Sequence, residues 1–383
     1  MFIDIHIIQT VPFSNLNRDE NGTPKTVVYG DALRARVSSQ SWKRAARLLL
    51  EQDGGIGRTY RTRYPDRRLS EILVKDHGIE TEKAEQIASG VFKLLTGKAT
   101  KDQPDGKKDV VGWYSDFELR ELAKVAKEHI DDLTNLTGKT VSNDLQKTLT
   151  DVVSTKRPTT VALFGRMLAD NTAVNVDAAM QVAHAFSVDE IDIEDDFFIA
   201  TEDLNKPEDG MGGAHMNHAE FVCATFYRYA TLDFSELVIN CNNDDHAATD
   251  LARAGLLAFC LSLPSGKNNV TAPHNLPDIV SVAVRGDRPV SYAAAFESPV
   301  KASREGGYVL PAVNVLGEYA NRVHHMVSDD SVFKGSVTTL VGKVLGDEVL
   351  IGLGKKYESL DNLVNDAVQA AQPNADQPTQ AIR

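Results

Sequence analysis

Three β-patterned segments lie far apart in this chain, and their separation limits what it can fold into. Residues 2–9 alternate, with Ile3, Ile5 and Ile7 on one face and Asp4, His6 and Ile8 on the other. Residues 219–233, "AEFVCATFYRYATLD", and 278–286, "DIVSVAVRG", are rich in β-branched and aromatic residues. A sheet built from them must close around whatever the intervening chain forms. Most of that chain, from about 55 to 195, reads as helix: "RLSEILVKDHGI", "EKAEQIASGVFKLLTG", "DFELRELAKVAKEHI" and "VDAAMQVAHAF" carry apolar residues at helical spacing. "DDHAATDLARAGLLAFCLSL" is a further helix between the last two strands. The order strand–helix, helical insertion, strand–helix–strand predicts an α+β sandwich of the ferredoxin or RNA-recognition type, with one connection grown into a lobe. At 383 residues the chain exceeds the usual single-core size, and 42% hydrophobic content can fill the cores required.

Charge is unevenly placed. The formal net charge is -13, yet residues 34–68 hold ten Lys/Arg against three acids. A basic stripe on an acidic body suits a protein that grips a polyanion in one place and repels it elsewhere; a solvated helix face with loop arginines is the bland alternative. Within the stripe, Ser38 or Ser39 caps a helix expected to run to about Gln52 and stop at Asp53-Gly54-Gly55. Trp42, Ala45, Ala46 and Leu49 form its buried stripe, while Gln40, Lys43 and Arg47 line the opposite face with Arg44 beside them. Free N–H groups and the positive dipole end favour phosphate there. Ser38, Ser39 and Gln40 can donate to its oxygens, and Lys43 and Arg47 extend the charge along one face. Arg18 and Lys25 in the preceding loop continue the track.

Two more segments carry phosphate chemistry. Arg166 and Met167 follow apolar Val161-Ala162-Leu163, read as a strand end, where the Arg pairs a phosphate and the Met wedges between bases; a surface Arg and a buried Met compete with that reading. Lys267 in "PSGKNNVT" is a Gly-Lys loop without the spacing of a nucleotide-hydrolysing phosphate loop. Catalytic signals are weak. His215, His218 and Glu220 are close in sequence but are not HExxH, and no metal or cofactor is expected. His184 reads as a satisfied helix histidine, and the acids from Asp189 to Asp196 as a solvated surface. Cys223, Cys241 and Cys260 show no CxxC spacing and are expected as free thiols in a reducing cytoplasm. The start of the chain lacks a basic leader, and no apolar run is long enough for a membrane span.

Seven segments in order, "FIDIHII", "LNRD", "RARVSSQSWKRAAR", "VALFGRM", "VDAAMQVAHAFSVDEIDIEDDFFIATEDL", "GGAHMNHAEF" and "FYRYATLD", resemble the RNA-binding backbone subunit of type I-E CRISPR Cascade (the CasC family). The resemblance runs to roughly residue 310. It implies a right-hand shape: a modified RNA-recognition palm (1–54 and 223–365), a helical finger lobe (55–195, returning to the palm near 160–167) and a β-hairpin thumb (196–222); the polar composition of 366–383 separately predicts a flexible tail. It implies a non-catalytic subunit that polymerises along the guide RNA, kinks it at intervals and presents it to a target DNA strand. The partners it implies are copies of itself, other Cascade subunits and a recruited nuclease-helicase, in the cytoplasm. Carried over by motif, Ser38, Ser39, Gln40, Lys43, Arg44 and Arg47, with Arg18 and Lys25, hold the guide backbone. Arg166 and Met167 flank the kinked nucleotide, His215 sits near the thumb tip, and Lys267 matches only loosely. Lys98, Lys101, Lys107 and Lys108 in the finger loop meet DNA. Trp42 stands where an aliphatic residue is expected, and its place on the apolar stripe assigns it to the core. A metal-dependent endoribonuclease and a free-standing nucleic-acid-binding regulator are the rival readings.

Overall fold

The computed structural model describes residues 1–52, 56–96, 111–134, 143–168, 171–200, 215–327, 331–340 and 347–372. Strands β1 (Phe2–Ser14), β2 (Thr26–Tyr29) and β3 (Ala32–Val37) lead into helix α1 (Ser39–Leu50). Strand β4 (Thr59–Thr62), helices α2 (Pro65–His77) and α3 (Thr81–Thr96), and strand β5 (Gly112–Ser115) follow. Next come helices α4 (Asp116–Glu128), α5 (Ile130–Thr134), α6 (Asn143–Ser154) and α7 (Thr160–Phe164). Strands β6 (Met180–Val182), β7 (Ala185–Ser187), β8 (Glu194–Ala200) and β9 (His215–Asp233) precede α8 (Phe234–Asn240), α9 (Asp245–Leu261) and α10 (Asn268–Thr271). The chain continues through β10 (Ile279–Arg285), α11 (Val309–Met326), β11 (Ser331–Thr338), α12 (Asp347–Leu353), β12 (Lys355–Lys356) and α13 (Leu360–Ala371). Two units result: Met1–Arg47, Val182–Leu232 and Gly255–Arg383 form a sheet unit, and Leu48–Gln181 with Asp233–Ala254 a helical one.

The sheet runs β12-β11-β10-β1-β9-β7-β3-β2. Its three central neighbours, β10, β1 and β9, are the three β-patterned segments. The β1–β10 pair is antiparallel from Phe2↔Arg285 to Ile8↔Ile279, as are β10–β11, β7–β9, β3–β7 and β2–β3; β11–β12 is parallel. The fold is therefore mixed α+β around a largely antiparallel sheet. Both faces of β1 are buried, so its polar residues need internal partners. Asp4 accepts from the Tyr229 hydroxyl (2.9 Å) and the Val290 N–H (2.9 Å), and faces the Arg285 guanidinium at 3.3 Å. His6 Nδ1 lies 2.9 Å from the Tyr227 hydroxyl, and its ring stacks on Tyr292 with centroids 3.9 Å apart.

Burial raises the Asp4 pKa and, helped by Arg285 and His324, holds the His6 imidazole well below its ordinary value. A histidine kept neutral in the fold but free to protonate when unfolded favours the unfolded state as pH drops through about 6.5. His6 should therefore cost about 1 kcal/mol of stability between pH 7.5 and 6. Urea titrations across that range should show the loss in the native protein and a flatter profile in His6→Asn.

The helical unit packs around Leu69, Ile72 and Leu73 of α2, Ile87, Ala88 and Val91 of α3, Leu119 and Leu122 of α4, and Leu145 and Leu149 of α6. Their i, i+3, i+4 spacing is the periodicity legible in the sequence. Strands β4 and β5 pair antiparallel beside them.

Four sequence expectations need correction. "VDAAMQVAHAF" is not a helix: Phe186 and Ser187 pair with Tyr227 and Phe226 of β9, and this tertiary pairing overrides the alanine-rich propensity. "VALF" is not a strand end but the short helix α7, capped by the Thr159 side chain and closed at Gly165. The helical unit extends to Gln181 and takes in 233–254, so residues 160–167 belong to it and 182–195 to the sheet unit. The stretch 366–371 is no loose tail, because α13 buries Leu363, Val364, Ala367, Val368 and Ala371.

Candidate nucleic-acid interface

Helix α1 begins where the sequence places it. The Ser38 side chain accepts from the Ser41 N–H (3.3 Å), and the Ser38 carbonyl accepts from Ser41 (3.0 Å) and Trp42 (3.2 Å). The N–H groups of Ser39 and Gln40 carry no intramolecular hydrogen bond among the described residues. These are the orphan donors that a phosphate would use. Behind the cap, the Ser38 N–H donates to Asn17 Oδ1 at 2.9 Å, which ties the helix start to the loop carrying Arg18. That loop is set by Asp19, whose carboxylate accepts from Asn21 and Thr23. Lys25 donates its N–H to the Asn17 carbonyl, and Arg36 its own to the Lys25 carbonyl. Arg18 is exposed, and Lys25, Ser38, Ser39 and Lys43 are half-buried at this end.

A histidine neighbours the cations. Arg36 Nη1 lies 3.2 Å from His184 Nδ1. Burial, then Arg36 and Lys25, push the exposed His184 below its ordinary pKa. Burial is the larger cause, and the two cations add to it. Burial likewise lowers Lys43, so an incoming phosphate would relieve part of its cost. Trp42 is core: it is 1% exposed, and the Arg228 guanidinium lies 3.8 Å from its ring centroid. Gly266 joins Lys267 to the same region. A Cβ at Gly266 would stand 2.4 Å from the Leu16 carbonyl oxygen and 2.5 Å from that of Asn15, so only glycine lets this turn seat against the 15–17 loop. Lys267 itself holds a left-handed backbone, φ 52°.

The structure thus brings Arg18, Lys25, Ser38, Ser39, Gln40, Lys43, Arg44, Arg47 and Lys267 into one unit, and it adds Asn17, Arg36 and His184. A family model for CT1975-like proteins matches residues 3–366. The chain belongs to the CT1975-like protein family. Two solved structures are similar. A chain of "CRISPR RNA-guided surveillance complex, pre-nicking" is 38% identical, with a TM-score of 0.84 over 97% of this chain and 100% of that one. A chain of "CRISPR RNA-guided surveillance complex" is 33% identical, with a TM-score of 0.76 over the same shares. No curated protein sequence matches.

Not every sequence-predicted residue of this family member joins the cluster. Arg166 lies in the helical unit, where its guanidinium is turned inward. It pairs with Glu118 Oε1 at 2.7 Å and donates to the carbonyls of Val174, Trp113 and Val153. Its donors are spent inside the protein, which corrects the reading of Arg166 as a phosphate contact. Met167 beside it is 82% exposed, where a buried Met was the bland expectation. Among the acids, Asp189 is buried rather than solvated: it accepts from the Thr225 N–H, and burial pushes it to about 6. Asp192, Glu194, Asp195 and Asp196 are exposed or half-exposed. Strand β8 pairs with β9 from Glu194↔Phe221 to Ala200↔His215; residues 201–214 and the His215 side chain lie outside the described residues. Lys98, Lys101, Lys107 and Lys108 do so as well. His184 sits between β6 and β7, not on a helix. No group of three His, Cys, Asp or Glu side chains is placed to hold a metal among the described residues. No described helix is long and apolar enough to cross a membrane.

Proposed function

We propose that this chain is a guide-RNA-binding backbone subunit of a type I-E CRISPR surveillance complex, acting by positioning rather than by catalysis. In this reading the sheet unit is an RNA-recognition-type palm, the helical unit a finger lobe, and β8–β9 the base of a thumb hairpin that kinks the guide. Copies of the chain polymerise along the spacer in the cytoplasm and present it to a target DNA strand. Other subunits of the complex and a recruited nuclease-helicase complete the machine. Selectivity then resides in base pairing, the division of labour known from another RNA-guided effector.

The observation that carries this reading is the cation cluster at the start of α1, on a chain of net charge -13 that is similar over nearly its whole length to a chain of an RNA-guided complex. Unengaged Ser39 and Gln40 N–H groups beside Lys25, Arg36 and Lys43 suit a phosphate backbone and offer no base-reading pocket. The test is light-scattering mass on the purified protein mixed with single-stranded RNAs of increasing length and unrelated sequence. The mass should climb stepwise, one subunit per fixed RNA increment, with the RNA intact. RNA shortened in a chelator-sensitive way would make the protein a metal-dependent nuclease, and one complex size at every length would make it a regulator.

A further inference from the structure

Arg34, Arg166, Arg228 and Arg285 are the buried arginines among the described residues, and three of them have an acid. Glu118 meets Arg166 at 2.7 Å, Asp4 faces Arg285 at 3.3 Å, and Asp189 and Glu190 act on Arg34. Arg228 has none. Its Nη1 donates to Gln9 Oε1 at 2.5 Å and to the Cys260 carbonyl at 3.4 Å, its Nη2 donates to the Phe259 carbonyl, and its Nε–H finds no partner among the described residues. The Gln9 amide is held in this sense by its Nε2–H, which donates to the Asn275 carbonyl at 2.7 Å. The one titratable group that acts on Arg228 is the Cys260 thiol, which burial pushes up to about 12 and so keeps neutral. Burial lowers Arg228 itself to about 9 and leaves it charged at neutral pH. A buried cation among neutral groups is costly to keep.

Its position gives this charge a use. Alternation along β9 turns Tyr227 and Tyr229 toward His6 and Asp4, and Arg228 to the opposite face. There the guanidinium lies 3.8 Å from the ring centroid of Trp42, in the first turn of α1 and two residues after the unengaged Gln40 N–H. Phe259 and Cys260 belong to the last turn of α9, whose negative dipole end carries about half a charge. That end offsets part of Arg228, and the remainder acts on the inner side of α1. One helix diameter, about 10 Å, separates the buried side of α1 from its solvent side. The path between them runs through packed side chains, where a charge reaches further than it does across water. A phosphate seated at the start of α1 is the anion that this arrangement lacks.

We propose that Arg228 is a buried cation of the guide-phosphate site, attracting the RNA backbone across α1 without touching it. This rests on the guide-binding reading and adds a residue to that site. The test measures RNA affinity and thermal midpoint for the full chain as native protein, Arg228→Met and Arg228→Lys, with the triple variant Lys43→Ala, Arg44→Ala, Arg47→Ala as control. It runs from about pH 5.5 to about pH 8.5, the span into which burial brings a lysine. Arg228→Met should weaken binding by about three- to tenfold at every pH. Its salt slope should stay near the native value, because no phosphate loses a direct contact. Arg228→Lys carries the charge only while protonated, so it should bind like the native protein at the acid end and like Arg228→Met at the alkaline end. Taking each affinity as a ratio to the native one removes the titration of His184 and the other histidines. A merely structural Arg228 would lower the midpoints of both variants and leave the lysine ratio flat with pH. That flat ratio, or native affinity in Arg228→Met, would overturn the proposal. If Arg228→Met fails to fold, the lysine ratio decides alone. If the triple variant loses RNA while Arg228→Met keeps it, this inference falls and the guide reading stands. A native protein that binds no RNA would bring down both.

Discussion

Replacing Arg166 with methionine should destabilise the helical unit by about 3–5 kcal/mol, because it leaves a buried charge without its partner. Glu118 is nearly sealed from solvent, and its two oxygens do different work. Oε1 meets Arg166 at 2.7 Å, while Oε2 accepts from the Ser115 N–H (2.6 Å) and hydroxyl (2.9 Å), with the Ser115 side chain capping α4 in return. Removing the guanidinium strands Oε1 and three carbonyl oxygens in a place water does not reach. The midpoint of thermal unfolding should drop by about 6–20 °C. Adding Glu118→Leu should recover part of that loss, since an apolar pair of similar volume replaces the ion pair, although the α4 capping box goes with it. Met167→Ala, one residue on but exposed, should move stability by no more than about 0.5 kcal/mol. The comparison separates two roles for adjacent residues. If Arg166→Met kept the native midpoint while weakening RNA binding, the guanidinium would be out in solution and the inward geometry wrong.

Arg166 also shows where sequence reasoning stops. "FGRM" displays an arginine and a methionine side by side, and the sequence carries no sign of which one turns in. That is settled by Glu118, 48 positions away, whose capping partner Ser115 is local but whose ion-pair partner is not. The same holds for β1. Its alternation marks a strand, but nothing local shows that Asp4 and His6 are buried by Tyr227, Tyr229, Tyr292 and Arg285 from distant segments. Local devices are legible: the Ser38 cap, the Trp42–Ala46 stripe, the amphipathic helices of the second unit and the three central strands follow from spacing alone. Segments whose identity depends on pairing are not. Ala185–Ser187 is a strand only because β9 and β3 flank it. Helix α11 and strand β11 escape a pattern reading because residues 309–338 mix glycines and histidines into their periodicity. Within the candidate site, Arg36 is visible as charge, but its role needs His184, brought within 3.2 Å by that same long-range strand pairing.

Removing Lys43, Arg44 and Arg47 together should weaken RNA binding by about 100-fold at 0.1 M salt, counting about 0.7 decade per single-strand phosphate engaged. The three follow the α1 cap over two turns, and Arg47 is the basic residue of its last turn. Alanine is the best helix former, so the triple Ala variant keeps α1 and its buried Trp42 and Ala46. Affinity is then lost without loss of fold, which circular dichroism and the thermal midpoint check directly. Counterion release fixes the form of the loss: the slope of log K against log salt should shrink by about 2, and the defect should fade as salt rises. If these side chains face phosphates, as the guide-binding proposal has it, the loss should be the same for RNAs of unrelated sequence. A defect confined to one sequence would mean that the cations read bases, and a defect with an unchanged salt slope would mean that they do not touch the backbone. Either result would remove the charge argument from the guide-binding reading and leave these cations as a solvated helix face.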